Sequence, residues 1–142
     1  MTAKMLLPIV IIVSSNIFYN ISTKAMPENA SPFAALAVTY LLAAAISLLF
    51  LAVQNKGISA LMFQGLNWTV LLLSVCITFL EFGYILAFRA GWNISLCSMI
   101  ANTLLAVALA IIGVTFYRES ITLRHAGGMV LCLIGLAVIN LK

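Results

Sequence analysis

Charge is what this chain has least of. Of its 142 residues only 7% are charged, 65% are hydrophobic, and mean hydropathy is +1.23. A soluble domain carries about 25% charged residues, so ten charges cannot cover the surface of a soluble protein of this length. Disorder is excluded as well, because it needs low hydrophobicity and many charges. Histidine is nearly absent, and the lone His125 excludes a multi-histidine metal site. The three cysteines, Cys76, Cys97 and Cys132, lie inside apolar runs. They read as small buried hydrophobes, not as a disulfide framework or metal ligands. A basic patch is missing too. The seven Lys and Arg that set the pI near 9.2 are scattered singly or in pairs, so no nucleic-acid partner is expected. With no nucleophile–base pair and no metal or cofactor constellation, an enzyme is not expected either.

What is present is long apolar runs, each near the roughly 20 residues that a helix needs to cross the hydrocarbon core. Five are expected, at residues 5–22, 33–53, 68–88, 94–117 and 123–141. The connecting loops hold the punctuation: Pro27, Asn29, Ser31 and Pro32; Gln54 to Gly57; Ala90 to Asn93; and Arg118, Glu119, Ser120 and Thr122. Backbone groups in lipid must be satisfied internally, so runs this long are helices, and the alternation of a membrane barrel is absent. The expected fold is therefore an all-α, multi-pass membrane protein of the cell's inner or plasma membrane. Lys4 ahead of an apolar run imitates a signal peptide, but no small-residue cleavage pattern follows, and Asn16, Tyr19 and Asn20 suit an interior-facing helix better.

Lys and Arg in short loops orient a membrane protein. With five spans, Lys4, Lys56, Arg118 and Arg124 share one side and Lys24, Arg89 and Lys142 the other, four against three. Near-balance suits a protein that inserts both ways and pairs with its own inverted copy. A weak bias overruled by other signals would read the same way. An odd span count adds weight to the first reading: an antiparallel homodimer of one repeat reproduces the inverted repeats on which many secondary transporters are built.

Glu81 is the one charge well inside a span. An intramembrane carboxylate costs roughly 2.5–3.5 kcal/mol on insertion scales and marks a functional site by default. It shares a helical face with Ser74, Thr78 and Tyr84. Removal from water disfavours the charged form of a carboxyl, which poises Glu81 to exchange a proton for a cation. The alternatives are a neutral carboxyl bonded to a neighbouring helix, or a pair with Arg89. A second polar stripe runs through Asn16, Tyr19, Asn20 and Thr23, and a third through Ser95, Ser98 and Asn102. Such stripes also glue helices together, but three of them, one with a carboxylate, better fit a shared polar cavity. Tyr19, Tyr84 and Trp92 offer faces to a flat or cationic ligand, although Trp92, like Trp68, also suits an interfacial anchor. The candidate proton- and substrate-binding set is thus Glu81, Tyr84, Asn16, Tyr19, Asn20, Ser74, Thr78, Ser98, Asn102 and Trp92. The fifth span carries Gly127, Gly128, Gly135 and Ala137, a small face for close helix packing or a dimer contact.

These residues resemble a known pattern. Tyr84, the Ala90–Gly91 turn with small residues after it, Glu119 closing the fourth helix, Thr122, and Gly128 and Gly135 seven apart are similar to the EamA-type repeat of the drug/metabolite transporter superfamily, as is Pro32 ahead of the second span. The resemblance covers essentially the whole chain. It implies a half-size transporter of one five-helix repeat, since full-length relatives fuse two, and kinship with the small multidrug-resistance proteins. Ala101–Asn102 stands where a proline is frequent, and Tyr40 where many relatives carry arginine. The multidrug-resistance branch places its carboxylate in its first helix, where this chain has none, and Glu81 is assigned from its position in the span alone. Glu119, beside Arg118 and Arg124, reads as a cap of the fifth helix or a local pair. The expected function is proton-coupled, alternating-access transport of a small organic metabolite or drug, cationic or amine-bearing and plausibly aromatic. The other class considered is a lipid or lipid-linked-sugar flippase subunit working with a partner chain. A non-transporting adaptor is a third.

Overall fold

The structure is a computed structural model and describes residues 3–55, 57, 59–118, 120 and 122–140. Lys56, Glu119, Leu141 and Lys142, which figure in the charge count, the resemblance and the end of the fifth span, lie outside the described residues. Five α-helices run in order: α1 Ala3–Lys24, α2 Pro32–Asn55, α3 Trp68–Arg89, α4 Ile94–Tyr117 and α5 Leu123–Asn140. A short 3-10 turn, Ala60–Phe63, sits in the α2–α3 connection and was not expected from the sequence. α1, α2 and α3 extend one or two residues past their expected ends, and Gln54 and Asn55 finish α2 rather than opening the loop. Helices α1 to α4 are long and apolar enough to cross a membrane. The fifth expected span is present as a helix, but its described apolar stretch, His125–Val138, is shorter than a crossing needs by itself. The chain is a multi-pass membrane protein.

The helix ends follow local chemistry. Pro32 occupies the first position of α2, where its missing N–H is no loss. Asn67 caps α3, its side-chain oxygen accepting from the Thr69 amide at 3.0 Å. α3 closes through Ala90 N–H to the Leu86 carbonyl at 2.9 Å and Gly91 N–H to the Phe88 carbonyl at 3.1 Å. Gly91 there has φ of 90°, open to glycine and strained for other residues. Arg118 ends α4 in the left-handed region, φ 53°, without glycine's freedom.

The chain divides into two compact units, residues 1–91 and 92–142. In the first, α3 packs against both α1 and α2. Phe33 stacks on Phe82 between α2 and α3, with centroids 4.6 Å apart. Tyr19 meets Tyr84 edge-on between α1 and α3 at 5.7 Å, and Tyr84 continues to Phe88 at 5.9 Å. Leu36, Ile85 and Phe88 form the small buried centre. In the second unit α4 packs on α5, burying Cys97, Gly113 and Leu136. A Cβ at Gly127, Gly128 or Gly135 would meet nothing within 4 Å, so the small face of α5 is not what brings it to α4. Only 6% of the most apolar stretch of α2, α3 and α4 is buried inside the protein, which makes lipid the complement of their surface.

A glycine inside α3 and one in the turn that closes it should therefore respond oppositely. Gly91→Ala is expected to lower stability by about 1–2 kcal/mol, the cost of a left-handed residue with a side chain. Gly83→Ala, at an open helical position, is expected to be neutral or to gain up to about 1 kcal/mol. Reversible unfolding in mixed detergent micelles reads both, and equal losses would contradict the assignment.

Candidate functional site

The first unit contains a cavity of about 150 Å³ between α1, α2 and α3, lined among others by Tyr19, Ser22, Thr23, Thr39 and Glu81. α3 brings Glu81 to it, and Ile85, one turn on, forms its buried wall. α1 contributes Tyr19, Ser22 and Thr23 from its last turns, and α2 contributes Leu36 and Thr39 from its first. The cavity thus lies toward the end of the bundle where the α1–α2 loop is. Glu81 is about 12 Å of helix from Arg89 and about 20 Å from Trp68, at about 1.5 Å per residue, so it is displaced from the centre of its span.

Lipid offers no hydrogen bonds, and most polar side chains here satisfy themselves along their own helix. Thr78 donates to the Ser74 carbonyl and Ser74 to that of Leu71, both at 2.8 Å. Thr39 donates to the Ala35 carbonyl at 2.9 Å, Thr23 to the Tyr19 carbonyl at 2.8 Å, and Thr115 to that of Ile111. This back-bonding accounts for hydroxyls on a lipid-facing surface without any ligand. Asn20 is buried, and its amide donates to the Asn16 carbonyl at 2.8 Å and to the Asn16 side-chain oxygen at 2.5 Å. The Tyr19 and Tyr40 hydroxyls differ: both are buried and meet no partner at hydrogen-bond geometry, and around Tyr19 the Thr23 hydroxyl, Glu81, Tyr84 and Tyr40 are within reach.

The expected site residues therefore separate. Glu81 and Tyr19 share the cavity, and Tyr84 braces Tyr19 from behind. Asn16 and Asn20 are bonded to each other one turn toward the start of α1. Ser74 and Thr78 point their hydroxyls back into α3 and do not line the cavity. Ser98, Asn102 and Trp92 belong to the second unit. There Asn102 lines a largely apolar groove of about 630 Å³ between α4 and α5, with His125, Gly128 and Cys132. Trp92 is exposed just ahead of α4, where an interfacial anchor would sit. Thr39 and Ser22 line the cavity but were not singled out from sequence. Thr39 lies in an otherwise apolar stretch at the start of α2, next to Tyr40, and a single threonine there carries no periodic signal. Among the described residues no group of three or more His, Cys, Asp or Glu comes together.

Arg89 neither snorkels freely nor pairs with Glu81. Its guanidinium donates to the Pro27 carbonyl at 3.2 Å and the Ala30 carbonyl at 2.6 Å, tying the α1–α2 loop to the end of α3. Lys24 donates to the Phe88 carbonyl at 3.1 Å and lies over the Phe88 ring at 5.8 Å. Lys24 thus occupies a carbonyl at the C-terminal end of α3, where positive charge is favoured, and Arg89 occupies loop carbonyls beside it.

Two outcomes separate structural from functional polar groups. Tyr19→Phe removes a hydroxyl without an acceptor, and stability is expected to stay within about 0.5 kcal/mol of wild type. Arg89→Met removes charge-assisted bonds to the loop and is expected to cost about 1–3 kcal/mol. The same detergent unfolding measurement reads both, and a large loss for Tyr19→Phe would show that its hydroxyl holds the fold.

No curated protein and no solved structure matches the chain. A protein-family comparison does match, over residues 4–141, which takes in all five helices, the cavity and the loop that Arg89 secures. On that match the chain belongs to the EamA-like transporter family.

Proposed function

We propose that the chain is a secondary transporter of small organic solutes in which Glu81 binds either a proton or a basic group of the solute. The observation that carries this reading is a carboxylate on an intramembrane cavity, within a family of membrane transporters. A carboxyl removed from bulk water strongly disfavours standing charged and alone. It holds a proton or a cation, and a site that cannot hold both exchanges one for the other. That competition couples the two movements. Tyr19 supplies aromatic surface in the cavity beside the carboxyl, with Tyr84 packed edge-on against it, which favours a flat or cationic solute.

The working unit in this reading is an antiparallel homodimer in the inner or plasma membrane. The near-even division of Lys and Arg supports insertion in both orientations. Pairing with an inverted copy supplies the two-fold arrangement on which alternating access is built. The open glycine face of α5 suits close approach of another helix.

In proteoliposomes, Glu81→Gln is expected to abolish proton-coupled solute movement while the protein remains folded. Coupling that survives the substitution overturns the role of Glu81. Topology is tested separately with reporters fused after Lys142, one active only inside the cell and one only outside. Both should give signal, and signal from one alone rejects dual orientation.

A further inference from the structure

Two hydroxyls in the first unit stand apart from the back-bonded ones. Those of Tyr19 on α1 and Tyr40 on α2 are buried, meet no partner at hydrogen-bond geometry, and belong to side chains in electrostatic reach of each other. Glu81 on α3 is within reach of Tyr19 and lines the same cavity. We propose that the two tyrosines form a hydrogen-bond chain reserved for the ionised state of Glu81, in which the Tyr40 hydroxyl donates to the Tyr19 oxygen and the Tyr19 hydroxyl donates to the carboxylate. Tyr19 and Tyr40 are then positioning residues that set how tightly Glu81 holds its proton. The inference rests on the reading of Glu81 as the exchanging carboxyl and deepens it.

Three observations support it. First, both hydroxyl oxygens are sealed from the outside, so their partners must come from within the bundle. A buried hydroxyl left without a partner is costly, and such a group in a folded protein calls for a role that the resting arrangement does not use. Second, the surroundings of Tyr19 leave one strong acceptor. The Thr23 hydroxyl already donates to the Tyr19 carbonyl, so it can offer the Tyr19 hydroxyl only a neutral oxygen. Tyr84 packs edge-on against the Tyr19 ring from the helix of Glu81 itself. Lys24 and Arg89, with Glu28, line the neighbouring cavity at the end of the bundle, and the two cations donate to the carbonyls of Phe88, Pro27 and Ala30. An ionised Glu81 carboxylate is the strongest acceptor within reach of Tyr19. Third, the donors and acceptors balance in one order only. A carboxylate only accepts, whereas a hydroxyl both donates and accepts. A chain from Tyr40 through Tyr19 to Glu81 satisfies both orphaned hydroxyls at once, and its members polarise and strengthen one another. A donor to the charged form favours that form, so closing the chain eases the loss of the proton from Glu81. Protonation weakens the acceptor and lets the chain open, which is the arrangement seen.

The test uses the full chain in lipid nanodiscs without solute. Infrared spectroscopy follows the C=O stretch of protonated carboxyl groups through a pH titration, and the part of the band missing in Glu81→Gln reports Glu81. Tyr19→Phe removes a donor to the carboxylate, so Glu81 should keep its proton to higher pH. The midpoint should rise by about one to two pH units, roughly ten- to a hundredfold in proton affinity, the scale of one charge-assisted hydrogen bond. Tyr40→Phe should raise it by less. The double variant should raise it no further than Tyr19→Phe alone, because Tyr40 acts through Tyr19. If Tyr19→Phe does not fold, replacing the tyrosines by meta-fluorotyrosine carries the test: its hydroxyl is a stronger donor, and the midpoint should fall, by less in Tyr40→Phe. An unmoved or lowered midpoint in folded Tyr19→Phe would overturn the proposal and leave Tyr19 a packing residue. Shifts that add in the double variant, or a midpoint that meta-fluorotyrosine leaves in place or raises, would overturn it too. Midpoints that move as expected while proton-coupled solute movement survives Glu81→Gln would instead overturn exchange at Glu81 and leave the chain supported.

Discussion

In the hydrocarbon of a bilayer every polar group must find its partner inside the protein, and that constraint organises the whole chain. It makes the apolar runs helical. It folds the hydroxyls of Thr39, Ser74, Thr78 and Thr115 back onto carbonyls of their own helices. It bonds buried Asn20 to Asn16, and it draws Lys24 and Arg89 onto the carbonyls that end α3 and form the α1–α2 loop. Set against this general satisfaction, the buried Tyr19 and Tyr40 hydroxyls and the Arg89 Nε–H have no partner at hydrogen-bond geometry, and of these Tyr19 lines the cavity that Glu81 reaches.

The same constraint gives the scarce charges two roles. At the helix ends they fix the fold: Arg89 ties the α1–α2 loop to the end of α3 through two carbonyls, and Lys24 fastens α1 to α3. Inside the span a charge has no carbonyl ends to complement and no water to solvate it, so in the proposed reading Glu81 acts through exchange. In the proposed reading, binding a proton neutralises it and binding a cation pairs it. Neither state leaves an isolated charge in lipid, and movement between them is what a coupled transporter requires.

Much of this fold is legible in the sequence, because span length and apolarity are set by bilayer thickness and need no knowledge of packing. All five helices start within two residues of their expected positions, and α4 matches at both ends. The 3-10 turn at Ala60–Phe63 carries no such signal, since its apolar residues look like more of the same. The site is less legible. Periodicity places Ser74 and Thr78 on the face of Glu81 but does not reveal that their hydroxyls turn back into the backbone, a rotamer choice that spacing does not encode. Likewise Arg89 at a span end reads as an interfacial cation. Its bonds to Pro27 and Ala30 depend on residues about sixty positions away, brought close only when α1 and α3 pack. Glu81 was legible because a carboxylate in a long apolar run is conspicuous whatever surrounds it.

The central claim is that one carboxyl alternates between a proton and a cationic group of the solute. Infrared difference spectroscopy on the protein in lipid tests it most directly, by following the C=O stretch of protonated carboxyl groups as an amine-bearing solute is added at constant pH. The account predicts that the solute removes a protonated-carboxyl band, and that Glu81→Gln lacks both the band and its loss. Solute binding that leaves that band unchanged in the wild-type protein would contradict it.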